Sequence, residues 1–158
     1  MKNQNKFYST IIHTPLGLMK IEADECCLLS VDFTEDEIGG PENNVSKEGA
    51  RVIASYFKGE KPAMDLPIAP APTPFSAKVY KETRKIPYGE VRSYSDIACD
   101  MGKPGASRAV GQALNKNRHL ILVPCHRVVA KSGGIGGFKE GQEIKKYLLR
   151  LEREGHDE

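Results

Sequence analysis

The sequence has 158 residues, 39% hydrophobic and 28% charged, with a formal net charge of +2. That length suits one domain, or one domain with a small appended subdomain, and is enough to bury a real core. The slight positive balance permits nucleic-acid binding without arguing for it, and no apolar run approaches the length of a membrane span. The polar start, Met1 to Lys6, leads straight into a strand-like segment and does not read as a signal peptide. The cysteines are Cys26, Cys27, Cys99 and Cys125. They form no C-x-x-C pair, and neighbours on a strand point to opposite faces, so neither a local bridge nor a zinc site is expected. The chain reads as a reduced, intracellular protein.

Three period-two segments open the chain: Phe7 to His13, Leu18 to Ala23 and Cys27 to Phe33. Turns at Thr14-Pro15-Leu16-Gly17 and Asp24-Glu25 separate them, which predicts an antiparallel meander. His13 has no ligand-type neighbour and reads as a surface residue. Residues 34–45 are acidic and rich in Gly and Asn, as a loop would be. Ser46 to Lys58 predicts a helix with Val52, Ile53, Tyr56 and Phe57 on one face and Gly59 as its stop. Pro62, Pro67, Pro70, Pro72 and Pro74 then rule out regular structure and mark a link. The expected division is an N-terminal α/β subdomain with its proline-rich link over 1–72, and a mainly helical C-terminal domain over 73–158.

Thr73-Pro74 is a helix start, with Thr as cap and Pro in the first turn, and Phe75, Val79 and Tyr80 share a face beyond it. Ser93-Tyr94-Ser95-Asp96 has the form of a capping box and opens a short helix. Gly102-Lys103-Pro104-Gly105 breaks it, and Ser107 starts another with Ala109, Val110, Ala113 and Leu114 inward. Two short helices around a Gly-containing turn follow helix-turn-helix grammar, although many such hairpins never meet DNA. Leu120-Ile121-Leu122-Val123 predicts a short buried strand. Gln142 to Glu154 predicts a helix with Ile144, Tyr147, Leu148 and Leu151 at i, i+3, i+4 and i+7.

Between these last two elements lies Val123-Pro124-Cys125-His126-Arg127-Val128-Val129, followed by the Gly-rich run Ser132 to Phe138. A thiolate is the reactive form of cysteine, and a neighbouring base such as His126 can generate it. On local sequence alone Cys125 reads equally as a small buried hydrophobe. The Gly-rich run lacks G-x-x-x-x-G-K-[ST] and is not a P-loop.

Pro124-Cys125-His126-Arg127-Val128-Val129 resembles the acceptor-site motif of the alkylguanine-DNA alkyltransferase family, the methylated-DNA–protein-cysteine methyltransferases. Tyr88 to Tyr94, Ser107 to Gly111, Asn115-Lys116-Asn117 and the Gly-rich run follow in that family's order and spacing, so the resemblance covers about 73–154 closely. From Thr14 onward the N-terminal part matches only a loosely similar, variable subdomain. The resemblance implies an α/β two-part fold: a small ribonuclease H-like antiparallel sheet with a helix, then a winged helix-turn-helix-like domain. It implies irreversible, stoichiometric transfer of an alkyl group, typically methyl, from guanine O6 (and thymine O4 as a further substrate) in duplex DNA to Cys125. No cofactor or metal is implied, and the protein is expected as a cytoplasmic monomer, at the nucleoid or nucleus, with no membrane partner. The rival readings are an alkyltransferase-like lesion-binding module, against which Cys125 itself argues, and a Cys-His hydrolase.

Residue by residue, the resemblance gives His126 a water-mediated base role, Glu152 the orienting of that ring, and Asn117 a bridge from the hairpin to the active-site segment. Tyr94 would donate toward a phosphate or the leaving base. Arg108 would fill the stack vacated by an extruded base. Ser107, Ala109 and Gly111 would face the DNA, with Arg92, Lys103, Lys116 and Arg118 near phosphates. Leu114, Leu120, Val123, Ile135, Gly136, Phe138 and Lys139 would wall the guanine pocket, with Gly133, Gly134 and Gly137 easing the backbone approach. Phe138 and Lys139 depart from the Tyr and Ser that the family often carries, which removes a hydroxyl donor from the wall.

Overall fold

A computed structural model describes residues 6–132 and 134–156. The chain divides into two compact units, 1–69 with 118–122, and 70–117 with 123–158.

In the first unit, β1 (Tyr8–Thr14), β2 (Gly17–Ala23) and β3 (Leu28–Phe33) form an antiparallel sheet in the order β1-β2-β3. The inward positions Met19, Ile21 and Ala23 of β2 are fully buried, the pattern that period-two alternation requires. Helix α1 (Asn44–Phe57) packs on β1 and β2. A reciprocal cap starts it: Ser46 N–H donates to the Asn43 side chain, and the Ser46 hydroxyl lies 3.1 Å from the Asn43 N–H. Gly49 lets the helix sit close to the sheet, since a Cβ there would lie 2.9 Å from side-chain carbons of Ile21 and Leu28.

The expected strand over Leu120 to Val123 does not form. The Arg118–Leu122 segment belongs to the first unit, where Val31 N–H donates to the Arg118 carbonyl and Leu120 N–H to the Val31 carbonyl. The chain then turns sharply: Leu122 N–H donates to the Leu120 carbonyl, and Ile121 has φ +73°. A β-branched residue in the left-handed region is strained. The apolar run was a correct sign of burial and a wrong sign of an extended backbone.

The second unit begins with α2 (Pro74–Arg84), capped by Thr73 as its sequence implied. Strand β4 (Arg92–Ser93) leads directly into α3 (Tyr94–Asp100), and the Ser93/Asp96 capping box is present in both directions. After a turn comes α4 (Ser107–Asn115), packed against α3 and α2. The segment Cys125–Arg127 is a single 3₁₀ turn, followed by β5 (Val128–Val129), which pairs in parallel with β4. This two-residue ladder is invisible to periodicity, yet it brings the start of α3 beside the Cys-His-Arg turn. Helix α5 (Gln142–His156) closes the chain. Among the described residues no helix is long and apolar enough to cross a membrane.

Candidate active site

The site is built within the second unit around the 3₁₀ turn at Cys125. Pro124 has φ −78° and ψ 64°, the geometry of an inverse γ-turn, and Cys125 N–H donates to the Val123 carbonyl at 2.7 Å. Proline supplies that φ at no further entropic cost, so the thiol is delivered on a preset backbone. Cys125 is 6% exposed. Asn117, just past the C-terminus of α4, donates from Nδ2 to the Val123 carbonyl (2.9 Å) and to Cys125 Sγ (3.3 Å). The thiol is pushed up to about 11, because burial outweighs the downward pull of the Asn117 hydrogen bond and of the Lys145 and Lys139 charges.

His126 and Glu152 are closed to solvent, at 0% and 1% exposure. His126 Nε2 donates to Glu152 Oε2 at 2.6 Å. Glu152 also accepts from Arg127 Nε (2.8 Å) and Nη2 (3.0 Å) and from Gly89 N–H (3.1 Å). Burial alone would raise the Glu152 carboxyl, but His126 and the Arg127 guanidinium outweigh it and hold the group far below the usual carboxylate range. The His126 ring is displaced downward by burial, against the pull of Glu152. Arg127 already neutralises the carboxylate, so we assign a neutral imidazole with its proton on Nε2. In that tautomer Nδ1 is the basic nitrogen.

The 3₁₀ turn and the first turn of α3 meet a third element, the Gly-rich loop. The Tyr94 hydroxyl donates to the Gly137 carbonyl at 3.4 Å. Gly136 has φ +78°, and a Cβ there would lie 2.6 Å from the Tyr94 hydroxyl oxygen, so the loop closes on Tyr94 only because this position has no side chain.

The comparisons with known proteins fall on this unit and extend over the chain. The model of the 6-O-methylguanine DNA methyltransferase DNA-binding domain matches residues 74–154. A methylated-DNA–protein-cysteine methyltransferase of Methanosarcina acetivorans is 40% identical over 152 residues, covering 92% of this chain and 97% of the relative. The chain belongs to the methylated-DNA–protein-cysteine methyltransferase family. The constitutive methylated-DNA–protein-cysteine methyltransferase of Bacillus subtilis is 36% identical, over 96% of this chain and 98% of its own. Among solved structures, the O6-methylguanine methyltransferase of Mycobacterium tuberculosis superposes with a TM-score of 0.83 at 33% identity, covering 94% of each chain. The Mycobacterium tuberculosis OGT in complex with DNA gives 0.82 at 35% identity, covering 92% of each.

Within this methyltransferase-family chain, the expected site residues separate into groups. Asn117 hydrogen-bonds Cys125 and Glu152 hydrogen-bonds His126, two pairs joined through the adjacent Cys125 and His126 of one turn, and Tyr94 of α3 reaches the Gly-rich loop. Arg108 is exposed near the start of α4, beside half-buried Ser107 and Ala109. Gly111 faces the Tyr94 ring, where a Cβ would be 3.6 Å away, an ordinary contact. Lys103 and Lys116 are exposed. Arg92 lies on the surface, with Asp100 at 2.9 Å and Asp96 at 3.6 Å. Arg118 is exposed in the first unit, where it lines a cleft with Lys20, Glu22 and Asp32.

The expected pocket wall is equally uneven. Leu114 and Val123 are buried in the second unit and Leu120 in the first. Ile135 lines a cleft of about 280 Å³ with Gly89, Val91, Leu149 and Glu152. Lys139 Nζ donates to the Asn117 carbonyl at 3.0 Å, so the departure from the family pattern is tied into the cluster. Phe138 is half-buried, and Gly133 lies outside the described residues.

Two buried charged residues escaped the sequence reading. Arg127, which the motif carries without an implied role, anchors Glu152, donates from Nη1 to the Ile86 carbonyl at 2.7 Å and lies 5.7 Å from the Tyr88 ring centroid. Lys145 is fully buried on α5, a helix whose apolar periodicity placed it outside the expected core face. For Arg127 a signal was available, a cation inside the otherwise mostly apolar run Val123 to Ala130; Lys145, beside Lys146 on a helix of mixed polarity, carried none.

Proposed function

We propose that this chain is a single-use DNA-repair protein that takes an alkyl group from O6 of guanine in duplex DNA onto Cys125. The observation that carries the reading is the buried thiol, hydrogen-bonded by Asn117 and followed directly by an imidazole whose far nitrogen is fixed by a carboxylate. That arrangement has the logic of a nucleophile, a base and an orienting acid. In the step, sulfur attacks the alkyl carbon, the S–C bond forms and the C–O6 bond breaks. The thiol proton passes by way of water to His126 Nδ1, and the departing guanine takes up a proton, with Tyr94 as the donor at its edge. The alkyl passes directly, so no carrier is required. A thioether does not hydrolyse, and each molecule acts once as a monomer.

The alkylated atom lies inside the duplex, so the base must be extruded at a cost of about a few kcal/mol. We assign Arg108 to the vacated stack. The first turn of α4 has no side-chain cap, which leaves backbone N–H groups available to phosphates. The α3–turn–α4 pair with the β4–β5 ladder is read as a winged helix-turn-helix-like domain, and the first unit as ribonuclease H-like. The methylated-DNA–protein-cysteine methyltransferase of Methanosarcina acetivorans and the Mycobacterium tuberculosis OGT in complex with DNA support the DNA-repair reading.

Mixing the protein with a duplex that contains O6-methylguanine is expected to add one methyl-sized mass to the Cys125 peptide, stoichiometrically, and Cys125→Ser is expected to abolish it. Tight lesion binding without a mass gain would favour a lesion-binding module, and multiple turnover on a thioester a hydrolase. Arg108→Ala is expected to slow repair of duplex DNA about tenfold or more while changing reaction with free alkylguanine base about twofold at most. Equal losses on both substrates would remove the finger assignment.

A further inference from the structure

The amide that donates to Cys125 Sγ stands on a backbone held from both sides. Asn117 N–H donates to the Leu114 carbonyl at 3.1 Å, in the turn that ends α4. The Asn117 carbonyl accepts from Lys139 Nζ at 3.0 Å, from 22 residues further along the chain. Between these two fastenings the side chain reaches the Val123 carbonyl at 2.9 Å and the sulfur at 3.3 Å. Lys139 occupies the first corner of a turn that Gly141 N–H closes on the Phe138 carbonyl at 2.9 Å. The loop that carries it is fastened from α3 by the Tyr94 hydroxyl on the Gly137 carbonyl, and from α5 by Gln142 Nε2 on the Gly136 carbonyl at 3.1 Å. Lys139 runs the other way, from this loop to the end of α4. A serine on the same backbone would end well short of that carbonyl. Hydrogen bonds weaken steeply with misalignment, so freedom at the Asn117 backbone is felt at the sulfur.

We propose that Lys139 is a positioning residue for alkyl transfer that acts through Asn117: by holding the Asn117 carbonyl, it keeps the Asn117 amide aimed at the Cys125 sulfur. This role rests on the proposed alkyl transfer for its purpose, but its test needs no DNA. A second route from Lys139 to the sulfur is the field of its charge, which lowers the thiol together with that of Lys145. Two observations make it the weaker route. The Lys139 side chain is 33% exposed, so water screens the charge, and the Glu140 carboxylate lies 3.5 Å from the ammonium. The other titratable groups around the sulfur are His126, next to it in the 3₁₀ turn, and Tyr80 and Tyr94, each raised by burial and then by Cys125.

Lys139→Met keeps the aliphatic stem and removes both charge and donor, whereas Lys139→Arg keeps both. Each is placed in the wild-type and the Asn117→Ala protein, and alkylation of the Cys125 peptide by iodoacetamide, followed by mass spectrometry across pH, reports the thiolate. In the wild-type background Lys139→Met is expected to move the Cys125 profile about half a unit higher, about a threefold loss of thiolate at neutral pH, and to slow methyl transfer from DNA to a similar extent. Lys139→Arg is expected to restore most of both. In Asn117→Ala, where no amide is left to aim, Lys139→Met is expected to add less than half of that shift. The full shift in both backgrounds would overturn the proposal in favour of a direct field, and an unchanged profile in folded Lys139→Met would overturn it outright. Should Asn117→Ala not fold, solvent exchange of the Asn117 side-chain NH₂ protons, read by NMR, decides instead: faster exchange in Lys139→Met supports the role, and unchanged exchange overturns it. Failure of the wild-type protein to take methyl from DNA would sink the proposed function and leave the iodoacetamide profiles to decide Lys139.

Discussion

Glu152→Gln is expected to lower stability by about 3–5 kcal/mol and to slow alkyl transfer on the order of a hundredfold or more. Four donors converge on this carboxylate: His126 Nε2, Arg127 Nε and Nη2, and Gly89 N–H. A glutamine presents one acceptor oxygen and one NH₂, so one edge of the amide must face a donor. Arg127, buried and always charged, then loses its counter-ion. For a chain of this size the stability loss corresponds to about 6–20 °C in Tm, read by thermal denaturation. The rate effect has a separate cause. Without the carboxylate the Nε2 tautomer is no longer favoured, and Nδ1 ceases to be reliably basic. A variant that melts like the wild type would refute the anchoring role, and one that melts early but reacts at the wild-type rate would refute the tautomer argument.

The same cluster predicts acid sensitivity. Glu152 is lower in the folded state than in the unfolded chain, so its contribution is complete above about pH 5 and is lost progressively as pH falls below the unfolded carboxyl value. His126 is also lowered, so below about pH 6.5 the unfolded chain binds a proton that the folded one resists. Both act in the same direction, and Glu152→Gln removes the carboxylate share of that dependence.

What was legible in the sequence was what short-range chemistry dictates. Thr73-Pro74, the Ser93/Asp96 box and the three alternating strands each act within a few residues, and each is present. The resemblance around Cys125 supplied Asn117 and Glu152, which the fold brings onto one turn from positions that no spacing rule connects. What was not legible depends on tertiary context. The apolar run at Leu120 to Val123 is buried yet turned, because Ile121 adopts φ +73°. On α5 the expected apolar face is Ile144, Tyr147, Leu148 and Leu151, but the buried positions are Lys145, Leu148 and Glu152. Hydrophobic periodicity cannot find a face whose charged members are buried for chemistry.

Asn117→Ala is expected to slow alkyl transfer about tenfold to a hundredfold, at a stability cost of about 1–3 kcal/mol. The side chain is buried at 1% exposure, and its amide donates both to the Val123 carbonyl and to Cys125 Sγ. A donor aimed at sulfur favours the anion over the thiol, and its removal leaves burial less opposed. Asn117→Asp separates that electrostatic role from simple packing. Aspartate has nearly the shape of asparagine but places an acceptor, and a charge when ionised, where the sulfur needs a donor. Iodoacetamide alkylation of Cys125 at neutral pH should therefore fall in the order wild type, Asn117→Ala, Asn117→Asp. A packing role predicts the opposite order for the two variants, because aspartate fills the site and alanine does not. An Asn117→Asp protein that alkylates faster than Asn117→Ala would show that the amide serves as a spacer between α4 and the 3₁₀ turn and not as the donor that steadies the thiolate.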